Sequence, residues 1–270
     1  MKFKKIMIGV VAGLMLVITP FLLVGCGGNN NNGNNPLGLV NTGQLILATS
    51  ADFPPFQSVN AQGQYVGIDI DIARAIATAL GLQLVINNMD FGGVLLSLGT
   101  GQADIALSGI TITEARRQGV DFTIPYFNSG QVIITHGNNN RLDGMTTAEQ
   151  IRTAMVGQRI GAVAGQTGFD HAVALTGLSN VQVFDDNITM MNAIQDGIVN
   201  YSIQGAVASF GLVENFTSLQ VINVALTDEQ YGGAVRQGNT ELLWQVNQVL
   251  ATMMMDGSLS QIFANHGITL

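Results

Sequence analysis

The stretch Asp104-Ile-Ala-Leu-Ser-Gly-Ile-Thr-Ile-Thr-Glu-Ala-Arg116 gathers the side chains best suited to hold a small anion. Ile105 to Leu107 reads as a short buried strand, and Thr113-Glu114 as the start of a helix. Thr113 can cap the free N–H groups there, and Glu114 suits the positive end of the helix dipole. Arg116 then falls in the first turn, near the N–H groups and hydroxyls of the Ser108–Thr113 turn. A planar, permanently charged fork beside a concave set of donors matches a carboxylate, which accepts two parallel hydrogen bonds from a guanidinium. A surface arginine at a helix start is the plain alternative.

Other chemistry finds little support. Cys26 is the only cysteine, so there is no disulfide framework and no cluster for a thiolate metal site. His136, His171 and His266 are far apart and lack metal-ligand spacing. No cofactor motif, metal site or catalytic constellation is expected. All three lysines lie before Cys26, which leaves seven arginines against 18 acidic residues in the rest of the chain. Nucleic acid is a poor partner for such a surface. The scarcity of cations also singles out Arg116 as one of few groups able to neutralise a buried anion.

The amino terminus reads as a targeting segment. Lys2, Lys4 and Lys5 precede the apolar run Ile6–Val24, which ends Leu23-Val24-Gly25-Cys26. A basic start, an apolar stretch and small residues at the end make an export signal over residues 1–25. Leu23 and Gly25 before the cysteine resemble a bacterial lipoprotein processing site, which implies an acylated Cys26 as the first mature residue. Residues 26–42, rich in Asn and Gly, then read as a tether too polar to bury anything. The expected location is the outer side of the cytoplasmic membrane, held by lipid.

The elements that must position Arg116 alternate. Strands are expected at Gln44–Thr49, Leu82–Asn87 and Ala103–Leu107, with a helix carrying Ile72, Ala73, Ile76, Ala77 and Leu80, capped by Asp69 or Asp71 and ended by Gly81. Residues 94–98 read as a short helix. The loop Ser50-Ala-Asp-Phe-Pro-Pro-Phe56 has two prolines between aromatics, a rigid turn able to hold a ring still. The rhythm restarts with strands at 131–135, 159–164, 181–184, 201–204, 220–224 and 230–235. Helices are expected from Phe169, around 188–194, from Ser209, over 240–255 and over 258–265, with Met253, Met254 and Met255 as core filler. Two successive α/β units argue for two lobes, each a sheet covered on both faces.

In this order and spacing, the motifs Pro55-Phe56, Gly67-Ile-Asp-Ile-Asp71, Met89-Asp-Phe91, Gly101-Gln-Ala-Asp104, Ser108–Thr113 with Arg116, Asp121-Phe122, Pro125-Tyr126, Gln230-Tyr-Gly232 and Asp256-Gly257 are specific. Over about Gly43 to Gly267 the chain resembles the polar amino-acid branch of the extracytoplasmic solute-binding proteins that serve ATP-driven (ABC) importers. The resemblance implies a type II-like periplasmic-binding-protein fold, with two hinge strands near 126–130 and 227–231 and the ligand in the cleft between lobes. The first lobe is then discontinuous, 43–130 with 227–270, and the second spans 131–226. It assigns the ligand carboxylate to Arg116, a donor pair to Thr111 and a carbonyl to Gly109. Phe53 and Phe91 would sandwich the ligand, while Gln166 and Thr167 add donors on closure.

Two departures stand against that pattern. Ser50 lies where many members carry an acid, and Gly205 where an aspartate is expected to hold the ligand ammonium. A buried ammonium without an anion costs several kcal/mol, so another group must serve or the ligand lacks that charge. Asp185 and Asp186 are candidate substitutes, and Gln204 offers a neutral acceptor. The leading expectation is a lipid-anchored receptor that captures an amino acid or similar carboxylate and presents it to membrane permease subunits. Acidic clusters such as Asp228-Glu229 could help dock a transporter. The alternatives are an enzyme of the same fold, resembling cyclohexadienyl dehydratases, and a ligand sensor for a separate signalling partner.

Overall fold

A computed structural model describes residues 35–270. The export signal, the acylation expected at Cys26 and the first part of the tether lie outside the described residues. In chain order, β1 (Gln44–Thr49), β2 (Asp52–Phe53), β3 (Gln57–Val59) and β4 (Tyr65–Val66) lead into helix α1 (Ile68–Ala79). Next come β5 (Gln83–Asn88), α2 (Phe91–Gly99), β6 (Ile105–Ala106), α3 (Glu114–Arg117), β7 (Val120–Phe122) and β8 (Phe127–Ser129). A second run holds β9 (Gln131–His136), α4 (Ala148–Met155), β10 (Ile160–Val163), α5 (Thr167–Thr176), β11 (Val181–Phe184), α6 (Asn187–Gln195), β12 (Tyr201–Gly205), α7 (Ala206–Val213) and β13 (Leu219–Ile222). The chain closes with β14 (Glu229–Tyr231), β15 (Ala234–Arg236), α8 (Thr240–Met255) and α9 (Ser258–Asn265).

These form two α/β lobes. One is built on the sheet β5-β1-β6-β15-β7 and the other on β11-β10-β12-β9-β13, while β2-β3-β4 make a small separate sheet. β1 runs parallel to β5 and β6, and residues 45–50 are buried without a break, as a strand covered on both faces requires. Helix α1 turns Ile68, Ile72, Ala73, Ile76 and Ala77 inward, each at most 2 % exposed. Between the lobes β8 and β14 pair antiparallel, with Phe127 opposite Tyr231 and Ser129 opposite Glu229. The two-lobed α/β architecture expected from the sequence is therefore present.

Several local expectations are corrected. The strand read over 230–235 is two, because the chain changes sheets at Gly232-Gly233: β14 pairs with β8, whereas β15 pairs with β6 and β7. A Cβ on Gly232 would sit 2.8 Å from the Ile112 side chain, so the crossing leaves no room for one. Neither Asp69 nor Asp71 caps α1. Its first N–H groups, on Ile68 and Asp69, instead donate to the carbonyls of Pro55 and Phe56. That approach is tight enough that Gly67, at φ +126°, could carry no side chain. Helix α4, with a complete Thr147/Gln150 capping box, was not foreseen. Met253 is core, but Met255 is 81 % exposed, so the three methionines are not a single filler unit.

Candidate ligand-binding cleft

The seam between lobes is built from the ends of strands and the starts of helices. Thr113 caps α3 by accepting the Arg116 N–H at 3.2 Å, which fixes the turn that aims the guanidinium. From there Arg116 Nη1 donates to the Thr111 carbonyl at 2.7 Å and Nη2 donates across the cleft to the Gly165 carbonyl at 2.8 Å. Its guanidinium carbon lies 5.6 Å from the centre of the Phe91 ring. Burial lowers the Arg116 pKa, and Glu229 and Asp170 oppose the shift. Among the described residues no carboxylate lies within 4.0 Å of it. It is a half-buried cation at an interlobe gap, held by carbonyls and a ring rather than by an anion.

Around it the lobes enclose a cavity of about 20 Å³, enough for a water or so. From one side come Phe53, Phe91, Ser108, Gly109, Thr111 and Tyr231; from the other, Gln131, Gln166, Thr167, Gly168, Gln204 and Gly205. Gly109 is clamped from beneath: its N–H donates to Asp69 at 2.6 Å, and Tyr126 donates its hydroxyl to the same carboxylate at 2.7 Å. Asp69 is fully buried, and that burial raises its pKa to about 7 against the pull of those two donors. The lobes also touch where Asp52 accepts from the Asn187 backbone at 2.7 Å and side chain at 3.0 Å.

Of the residues singled out beforehand, Arg116, Thr111, Gly109, Phe53, Phe91, Gln166, Thr167, Gln204 and Gly205 all line this cavity. Ser50 does not. It is buried in the wall, its N–H bonded to Ser108 and its hydroxyl to Asp52, because the loop turns it back on itself. Nor do Asp185 and Asp186 reach the cleft. Asp185 is exposed, and Asp186 caps α6 through the Thr189 N–H and hydroxyl. Gly205 is tightly matched to its neighbour: a Cβ there would lie 2.1 Å from the Tyr231 hydroxyl. The Tyr231 hydroxyl thus occupies the space that a side chain at 205 would need.

Glu229, half of the acidic pair expected to help dock a transporter, is withdrawn from the surface. Its side chain is only 8 % exposed and lies directly behind the cleft. Oε2 accepts from Thr111 at 2.8 Å, Gln131 at 3.0 Å and Thr167 at 3.3 Å, while Oε1 meets His171 at 2.9 Å and accepts from Thr227 at 3.1 Å. Burial would raise its pKa, but the bonds from His171, Gln131, Thr111 and Thr227 outweigh it and leave the carboxyl at about 2. One signal could have found it. Glu229 and Tyr231 are two apart on a strand and so face the same way. Gln131, Gly168 and Tyr231 line the cavity without any sequence signal for it, Gln131 reading only as the start of a strand. Its Oε1 is buried without a partner.

Residues 45–268 match the family described as bacterial extracellular solute-binding proteins, family 3, and the chain belongs to it. The probable histidine-binding protein of Neisseria gonorrhoeae is 26 % identical over 257 residues, 93 % of this chain and 92 % of that one. The solved structure of holo ArgBP from T. maritima superposes with a TM-score of 0.72 at 34 % identity, covering 78 % of this chain and 91 % of the other. Cyclohexadienyl dehydratase of Pseudomonas aeruginosa is a partial match, 30 % identical over 171 residues, 63 % of this chain and 62 % of that one. Other relatives are named as cystine- and arginine-binding proteins.

Proposed function

We propose that the chain is the lipid-anchored receptor of an ABC importer and captures one amino acid, or a closely similar carboxylate, by closing its lobes. The moving bodies are residues 43–130 with 227–270, and 131–226, hinged at β8 and β14. Arg116 carries the reading. It is a lone guanidinium bridging the two lobes, and its two carbonyl bonds are neutral contacts that a carboxylate would exceed in strength. A ligand that engages Arg116, Thr111 and the Gln166–Thr167 helix start together bridges both lobes. It then shifts the population toward the closed form by its differential affinity. Family membership supports amino-acid capture for an importer, and acylation of Cys26 rests on the processing-site pattern.

The test is calorimetric and thermal titration of the full chain in mild detergent with L-histidine, L-cystine, L-arginine and L-glutamine. Loss of a charge-assisted bidentate contact corresponds to about 100-fold or more in affinity. Arg116→Ala should therefore lower binding by that much while the unliganded melting midpoint moves little. Unchanged binding in Arg116→Ala, or no amino acid raising the midpoint of the parent chain, would refute the proposal. Prephenate in the same titration separates the dehydratase reading, which needs a general acid near the reacting carbon. The cleft lining contains neither carboxylate nor histidine, so prephenate should be recovered unchanged. For the anchor, mass spectrometry of the membrane-extracted chain should find an acylated Cys26, and Cys26→Ala should release the protein from membranes.

A further inference from the structure

An amino acid held by its carboxylate at Arg116 still brings an ammonium into the cleft, and no lining residue carries a negative charge. The position that should supply one is Gly205. In the second sheet Gly205 is paired directly with Gln131, the first residue of β9. Residues opposite one another on neighbouring strands have their Cβ atoms within about 5.5 Å. The space directly over Gly205 is filled by the Tyr231 hydroxyl, and Gln131 enters the cavity lining beside it.

Gln131 is 4 % exposed and oriented from behind. Its Nε2 donates to Glu229 Oε2 at 3.0 Å and to Thr167 Oγ1 at 3.1 Å. A carboxylate accepts only, so the amide nitrogen must face Glu229 and the amide oxygen must face away. That oxygen is buried without a partner. Gln131 is itself one of the residues lining the cavity. A buried carbonyl without a donor is unfavourable in a protein interior unless something arrives to fill it.

We infer that Gln131 Oε1 accepts the ligand's ammonium, and that Glu229, one hydrogen bond behind, supplies the negative charge that balances it. Glu229 is a positioning residue: it does not line the cleft, and it acts through the amide it orients. The charge expected at position 205 has moved to the hinge strand β14 and is relayed across one side chain. This inference rests on the reading of the cleft as an amino-acid site and deepens it.

The test uses the full chain in mild detergent and three ligand pairs that differ only in the ammonium. These are L-glutamine with glutaramate, L-arginine with 5-guanidinopentanoate, and L-histidine with 3-(imidazolyl)propanoate. For whichever amino acid binds, the parent chain should prefer it over its des-amino partner by about 10- to 100-fold, the range of a hydrogen bond to a charged group. Gln131→Leu and Gln131→Met should each reduce that preference to within about threefold, the amino acid losing far more affinity than its des-amino partner. Glu229→Gln should reduce the preference in the same direction. An undiminished preference in both Gln131 variants overturns the inference. So does an equal loss for both members of a pair, which marks a structural role. Neither result touches the Arg116 reading, which falls separately if Arg116→Ala binds as well as the parent. If none of the six compounds, nor L-cystine, binds the parent chain, both readings fall together.

Discussion

Three carboxylates around the cleft have different electrostatic lives, set by burial and by how many donors each one meets. Glu229 has five hydrogen-bonding neighbours and stays ionised down to about pH 2. Asp69 has two, and burial prevails, holding its pKa at about 7. Burial also dominates at Asp52, whose pKa is raised despite donors from Asn187 and Ser50. The consequences for Glu229 and Asp69 have opposite signs. Glu229 has a depressed folded pKa, so its stabilisation is present above pH 4.5 and is lost as the pH falls toward 2. Asp69 has a raised folded pKa, so its contribution is complete below about pH 4 and is lost as the pH rises through 7. A shift from 3.8 to about 7 corresponds to roughly 4 kcal/mol over that window. Urea unfolding between pH 4 and 7 should therefore show a weaker pH dependence in Asp69→Asn than in the parent chain. An identical slope would mean that Asp69 titrates as an ordinary carboxyl.

At the scale of elements, what could be read in advance depended on whether the cause was local. Helix α1 announced itself by period: Ile72, Ile76 and the alanines beside them form one stripe, and that stripe is the buried one. The cap of α3 was legible for the same reason, since Thr113 and Arg116 lie within one turn. Nine of the ten cleft residues named from the chain alone line the cavity, because the Ser108–Arg116 turn is contiguous and the remainder follow motif positions. What escaped was non-local. The start of α1 looks like a place for an aspartate cap until the carbonyls of Pro55 and Phe56 are brought onto it from another loop. Glu229 looks like a surface acid until residues 111, 131 and 171 converge on it from three separate segments. Ser50 failed in the opposite direction. Motif position placed it in the cleft, but a bond two residues away turns its hydroxyl to Asp52.

Taken as a whole, the molecule is two sheet-based lobes joined by the paired strands β8 and β14 and touching along a seam. Its closed arrangement is knitted by Arg116 to Gly165, Asn187 to Asp52 and Thr111 with Thr167, the last two hydroxyls 3.4 Å apart around a common carboxylate. At one end of the seam backbone meets backbone: Gly92, at the start of α2, faces Ala164 and Gly165 of the other lobe. A methyl on Gly92 would only touch the Ala164 carbonyl, at 3.6 Å, so alanine fits there and anything much longer strikes the opposite wall. Gly92→Leu should thus act as a doorstop. Small-angle scattering should find the variant expanded, with each lobe intact and its guanidinium in place, and the midpoint rise with amino acid should shrink or vanish. A receptor jammed ajar in this way would separate first touch from retention: whatever affinity it kept would measure how much of the ligand's grip one half can exert alone.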